Sequence, residues 1–236
     1  MEIFPTIDKD QFPFPKIQEI RNILTNSKLF GVNKKFCSSE LSRSFLAFEY
    51  RYTSLQFQER RYYDITHEYG DTPPTEPINY RFYQDEAIFL FFTCSVSLFD
   101  CYAYSLYAAC SHLDPKIVKL DCYDDGKYVY FYSVVQKVQP LNNLLNNSGL
   151  LDDIKKIKEE PQFNEIKIFR NYLYHRAHLP RTVYLSTHSK INSRINTIDG
   201  LDVEIKENAL QEYKKWIDIS NESLLEGFHL FLTDNF

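Results

Sequence analysis

Arg170-Asn171-Tyr172-Leu173-Tyr174-His175 combines the residue types that proton transfer at a phosphate would need. Arginine keeps its charge at any accessible pH and offers a planar fork of N–H donors to phosphate oxygens. Histidine exchanges a proton near neutrality. The surroundings reinforce the chemistry. The 32 residues from Lys167 to Ile198 contain no Asp or Glu, while six of the 27 Lys/Arg and three of the six His fall there. All 32 acids lie elsewhere in a chain of net charge −5. An acidic protein has gathered positive charge around one short motif, and such a patch attracts anions.

Winding 163–179 as a helix at 100° per residue gives the motif a setting. Phe163, Ile166, Phe169, Leu173 and Ala177 form one broad apolar arc, and Ile168, Tyr172 and Leu179 a second stripe roughly opposite. Between them runs a polar strip of Lys167, Asn171, His175 and His178, with Arg170 at the edge of the main arc beside Tyr174. Apolar flanks on both sides predict that the strip floors a groove or is covered by a second copy of the chain. Arg170 and His175 are about 140° apart around the axis, so they converge only on something placed above Asn171. A phosphate has the right size and charge. His175 also lies five residues before Pro180, near a helix end whose dipole favours imidazolium, while Arg170 and Arg176 oppose that charge.

An arginine, a polar residue and a histidine after four intervening positions, late in a helix, resemble the signature of the HEPN superfamily (higher eukaryote and prokaryote nucleotide-binding domains). Arg170, Asn171 and His175 match all three positions. The resemblance covers the motif helix and the coarse helical architecture; residues 1–70 and 114–160 carry no matching motif. It implies a helical domain that dimerises so that two motifs face one cleft, and metal-independent endoribonuclease activity with no cofactor. His175 would take the 2′-OH proton or protonate the leaving 5′-oxygen, Arg170 would stabilise charge on the phosphorane, and Asn171 would orient one of them. The products would be a 2′,3′-cyclic phosphate and a 5′-OH. A toxin or defence role, with an antitoxin or other regulator, goes with that class. Some toxin-type members carry a modifiable Tyr two residues after the His; here that residue is Ala177, so control of that kind is not expected.

Each feature has a plainer reading. Arg170 can pair with an acid from another helix, and His175 can cap its helix end. Lys167 and His178 can be a solvated strip or can touch RNA phosphates. Arg176, Arg181, His188, Lys190 and Arg194 read equally as RNA-backbone contacts or as an ordinary polar loop. His175 and His178 have a spacing that can hold a metal, but no acid or Cys stands with them, and none is expected. Asp100, a lone acid in an apolar helix, needs a partner. It can steady Arg170 or His175 from behind, with Tyr174, or pair with an unrelated hydroxyl or base. The whole chain also admits a non-catalytic reading: a dimeric helical module binding RNA, nucleotide or protein through the same groove. Net charge −5 favours that alternative, since broad RNA affinity calls for a more basic surface.

The elements that must position these residues read as all-α: one domain over 1–236, a helical bundle of four to five main helices, with room for a small β-hairpin or extended insertions. A chain of 236 residues buries a sizeable core, built here mainly from 19 Phe, 18 Tyr, Leu and Ile. Residues 1–15 read as an extended arm, Lys16–Phe30 as a short helix, and Ser38 or Ser39 as the cap of a long helix reaching about His67. The proline-rich 70–78 is a break. Asp85–His112 is a buried central helix, although Ala87–Leu113 holds one charge, Asp100, and is long enough to span a bilayer. Its Ser, Cys and Tyr content and its unflanked ends argue against a membrane. Tyr128–Val135 fits a strand or a short helix equally, and Asn142–Gly149 a loop or frayed turn. Arg181–Ser186 reads as a strand or connector, Ser189–Gly200 as a polar loop within a mobile basic stretch 181–205, and Leu210–Phe231 as a long helix. The N-terminus shows no secretory pattern, and five cysteines without a CxxC pair suggest reduced thiols in a cytoplasmic protein.

Overall fold

The computed structural model describes residues 13–26, 36–69, 77–176, 181–183, 193–198, 201–203 and 209–236. The chain is all-α, with one small sheet. Helices α1 (Phe14–Asn26), α2 (Phe36–Tyr69) and α3 (Pro77–Leu113) are followed by the short turns α4 (Tyr123–Gly126), α5 (Val134–Val138) and α6 (Asn142–Leu145). Then come α7 (Leu150–Glu159), α8 (Pro161–Arg176), strands β1 (Arg181–Val183), β2 (Ser193–Ile198) and β3 (Leu201–Val203), and α9 (Ala209–Asn235). Among the described residues six helices reach ten residues.

Several boundaries differ from the sequence reading. Ser38 and Ser39 lie inside α2, which begins at Phe36, and Ser38 Oγ shares a 3.0 Å hydrogen bond with His112 Nδ1 instead of capping. α3 starts eight residues before Asp85, with Pro77 at its first position, where a missing N–H costs nothing. Tyr128–Val135, read as a strand or a short helix, is non-helical up to Ser133 and enters α5 only at Val134, while Asn142–Gly149 forms α6 and a following 3-10 turn, Asn146–Ser148. Ser189–Gly200, read as a loop, contains β2, the centre of an antiparallel sheet ordered β1-β2-β3. Arg181 faces Ile195 and Thr182 faces Arg194 across β1 and β2, and Ile195 pairs with Val203 across β2 and β3 before the register shifts. Of the arm 1–15 and the break 70–78, residues 1–12 and 70–76 lie outside the described residues, whereas Phe14 and Pro15 open α1 and Pro77 and Ile78 open α3.

The chain divides into two compact units, one of 1–51, 97–160 and 218–236, the other of 52–96 and 161–217. In the first, Phe45, Phe48, Tyr102, Phe228 and Phe231 pack in a continuous ring cluster, fully or almost fully buried. The Tyr102 hydroxyl donates to the Leu224 carbonyl at 2.7 Å, so that its polar end is satisfied inside the core. In the second unit the core centres on Phe91, Phe92, Phe169 and the ring of Tyr213. There Lys214, buried on α9, donates to the Tyr52 hydroxyl at 2.9 Å and lies 4.6 Å from that ring's centroid.

The stretch Phe82–Leu113 of α3 is long and apolar enough to cross a membrane by length and composition, and more than half of it is buried within the protein. Phe91, Phe92, Leu98, Phe99, Tyr102 and Leu106 supply much of both cores from this helix.

Candidate functional site

Everything near the motif is set by how α8 is started and turned. Glu160 is extended (φ −69°, ψ 136°), as a residue before proline prefers, and Pro161 opens the new helix with its φ already helical. Phe163, Ile166, Phe169 and Leu173 are all buried, so the main apolar arc expected from the sequence faces the core of its unit. The second stripe is less covered: Ile168 and Tyr172 are half-buried. Leu179 and Ala177 lie outside the described residues.

Three contacts lock that rotation. The Phe169 ring stacks on Phe92 with centroids 4.5 Å apart and planes 15° from parallel. Tyr213 of α9 meets both rings edge-on, at 5.5 Å and 6.1 Å. Its hydroxyl then donates to the Glu165 carboxylate at 2.7 Å, one turn before Phe169. Burial and that carboxylate push the Tyr213 phenol well above its ordinary range, so the hydroxyl stays a donor. None of these partners was legible beforehand, because stacking between distant helices leaves no local pattern.

Arg170 stands at the edge of the anchored face and Asn171 across from it. Arg170 is half-buried, and its Nη1 donates to Asn171 Oδ1 at 2.9 Å; among the described residues no carboxylate forms an ion pair with it. Pairing of Arg170 with an acid from another helix is therefore not seen there. With Asn171 Oδ1 accepting from the guanidinium, the exposed amide presents its NH2. The remaining guanidinium N–H groups and that NH2 make a surface of donors, which suits an anion. Lys167, half-buried, lies 5.7 Å from the Phe163 ring centroid, and Tyr174 is 65% exposed. His175 and Arg176 complete α8 in an unbroken helix, which separates Arg170 from His175 by about 7.5 Å along the axis. Their side chains, with His178, His188 and Lys190 and the side chains of Arg181 and Arg194, lie outside the described residues. β2, which carries Arg194, comes within 8 Å of α8 between Cα atoms.

Asp100 finds a backbone partner. It falls in the first unit, where its Oδ1 accepts the Phe131 N–H at 2.9 Å. Arg61 of α2 pairs with Glu86 at 2.8 Å and sits 5.6 Å from the Tyr83 ring centroid.

All five cysteines are free. Burial pushes the Cys101 thiol up to about 11 and that of Cys110 to about 12, so both are protonated and unreactive at neutral pH. Among the described residues no three His, Cys, Asp or Glu are grouped to hold a metal ion. Comparison of the chain with protein-family models, curated proteins and solved structures finds no match.

Proposed function

We propose that the chain is a metal-independent endoribonuclease of the HEPN type, acting as a homodimer in which two motif helices line one cleft. The observation that carries the reading is the Arg170–Asn171 pair: a guanidinium bonded to a neutral amide and to no described carboxylate, beside the buried arc of a helix that continues to His175. Charge left uncompensated in this way is available to a phosphodiester. His175 would act as general base or acid toward the 2′-OH or the 5′-oxygen, and Arg170 would stabilise the dianionic phosphorane, with Asn171 holding the guanidinium in place. Lys167 and the basic residues of 176–194 would guide the RNA backbone. A regulator or antitoxin belongs to the same proposal.

The test is RNA cleavage in EDTA by wild type, His175→Ala and Arg170→Ala. Cleavage by wild type with 2′,3′-cyclic phosphate ends, and loss of about 100-fold or more in each variant, supports the reading. Equal cleavage by His175→Ala, or activity only after divalent metal is added, sinks it. Binding of RNA without turnover would instead assign the chain to the non-catalytic module.

A further inference from the structure

A second acid-free stretch lies apart from the motif. Residues 126–151 contain no Asp or Glu, in a chain that has 32. Within it the run Tyr128-Val129-Tyr130-Phe131-Tyr132 alternates strictly between solvent and core. Tyr128, Tyr130 and Tyr132 are 64%, 37% and 56% exposed, whereas Val129 and Phe131 are 5% and 1% exposed. Three consecutive outward positions are all tyrosine.

The run is held rigidly. Ser133 Oγ accepts the Tyr130 N–H at 3.2 Å, closing the turn. Asp100 accepts the Phe131 N–H, and the Phe131 ring packs on Phe99 with centroids 5.0 Å apart. Asp100 of α3 thus fixes the backbone from which the tyrosines project. On the outer side the Tyr130 and Tyr132 rings are parallel within 5°, with centroids 5.6 Å apart. Lys127 lies 5.7 Å from the Tyr128 ring centroid, and Lys137 follows the run, half-buried. The preceding acid, Asp125, is turned inward on the Asp121 and Cys122 N–H groups and lies 3.5 Å from Lys119.

We infer that Tyr128, Tyr130 and Tyr132, with Lys127 and Lys137, form a stacking surface for the bases of a single-stranded nucleic acid. Pre-aligned ring faces accept bases of any sequence, because every base has a π-face, and the lysines meet the backbone. Absence of carboxylates across the stretch favours a polyanion over a basic peptide, and phenols instead of aliphatic side chains disfavour an ordinary apolar protein contact. The surface shares only its ligand class with the cleavage reading and uses none of its residues.

The experiment is fluorescence anisotropy with a labelled oligodeoxythymidylate of about 12 nucleotides, a length within the range of single-strand sites. Lacking a 2′-OH, this probe cannot be cut by the proposed route, so binding is read separately from chemistry. Wild type should bind it more tightly than a duplex of equal length. Tyr130→Ala with Tyr132→Ala should weaken binding about tenfold or more, while the corresponding Phe pair stays within about twofold. Lys127→Gln with Lys137→Gln should lower the slope of log affinity against log salt by about 1.4. None of the five side chains is buried, and circular dichroism should confirm that each variant is folded. No binding by wild type, unchanged binding by the Ala pair, equal binding of duplex, or equal binding of an acidic peptide each overturns the inference. If His175→Ala keeps both oligonucleotide binding and RNA cleavage, the nuclease reading falls and the stacking surface stands.

Discussion

Replacing Phe92 and Phe169 by Leu, singly and together, examines the packing on which the orientation of the motif helix depends. Both rings are essentially inaccessible to solvent and stacked 4.5 Å apart, with Tyr213 closing the cluster. Each change removes three carbons, worth about 2 kcal/mol at ~0.8 kcal/mol per methylene. Each also deletes the stacked pair, worth about 1 kcal/mol beyond area. Single variants should therefore lose about 3 kcal/mol. The double variant should lose about 5 kcal/mol and not 6, because the pair can be lost only once. Urea denaturation measures this, with midpoints falling and slopes unchanged. Phe169 is followed directly by Arg170, so loosening its ring should also slow RNA cleavage under conditions where the protein remains folded. Single losses below about 1 kcal/mol, or a coupling within the usual additivity error of about 0.3 kcal/mol, would refute the packing that sets the rotation of the motif helix.

Three other outcomes are expected. Arg170→Lys keeps the charge but not the planar fork, so cleavage should fall by about tenfold or more while the melting temperature barely moves; wild-type rates in the Lys variant would show that no bidentate contact is used. Asp100→Ala leaves the Phe131 N–H without its carboxylate and should cost about 2 kcal/mol, against about 1 kcal/mol for Asp100→Asn, which retains an acceptor; equal losses in thermal denaturation would show that the acceptor is immaterial. Alkali should unfold the protein. Burial raises the Cys101 and Cys110 thiols and the Tyr102 and Tyr213 phenols above their ordinary values of 9.0 and 10.0. Because these folded values are raised, the unfolded chain loses protons first, and stability that is complete below pH 9 declines as pH climbs. With its thiol at about 12 in the fold, Cys110 alone accounts for about 3 kcal/mol by pH 11. Cys110→Ala should therefore shift the alkaline midpoint upward, measured by circular dichroism; a midpoint that stays put or falls would exclude the mechanism.

The helical character was legible because apolar residues recur at helical spacing in long runs: Leu41, Phe45, Phe48, Tyr52 and Leu55 on α2 are all buried in the structure. The buried arc of α8 was legible for the same reason. Helix ends were harder. The start of α2 was placed at a serine because serine caps well, yet Ser38 forms a hydrogen bond with His112, a residue 74 positions away. β2 looked like a polar loop because Ser193, Arg194, Asn196 and Thr197 have no apolar face to announce; its neighbours β1 and β3 make it a strand.

Sequence alone determined the chemistry on offer: where positive charge is gathered without acids, which helix carries it, and which face of that helix turns inward. Those properties reside in residue type and periodicity, which are local. Tertiary structure decided the partners. It gave Glu165 to Tyr213, Phe169 to Phe92 and Asp100 to the Phe131 N–H, and it set three tyrosines outward on a turn whose class the sequence left open. A hydrogen bond or a stacked ring depends on atoms brought together from distant parts of the chain, and only the packed core fixes their separation.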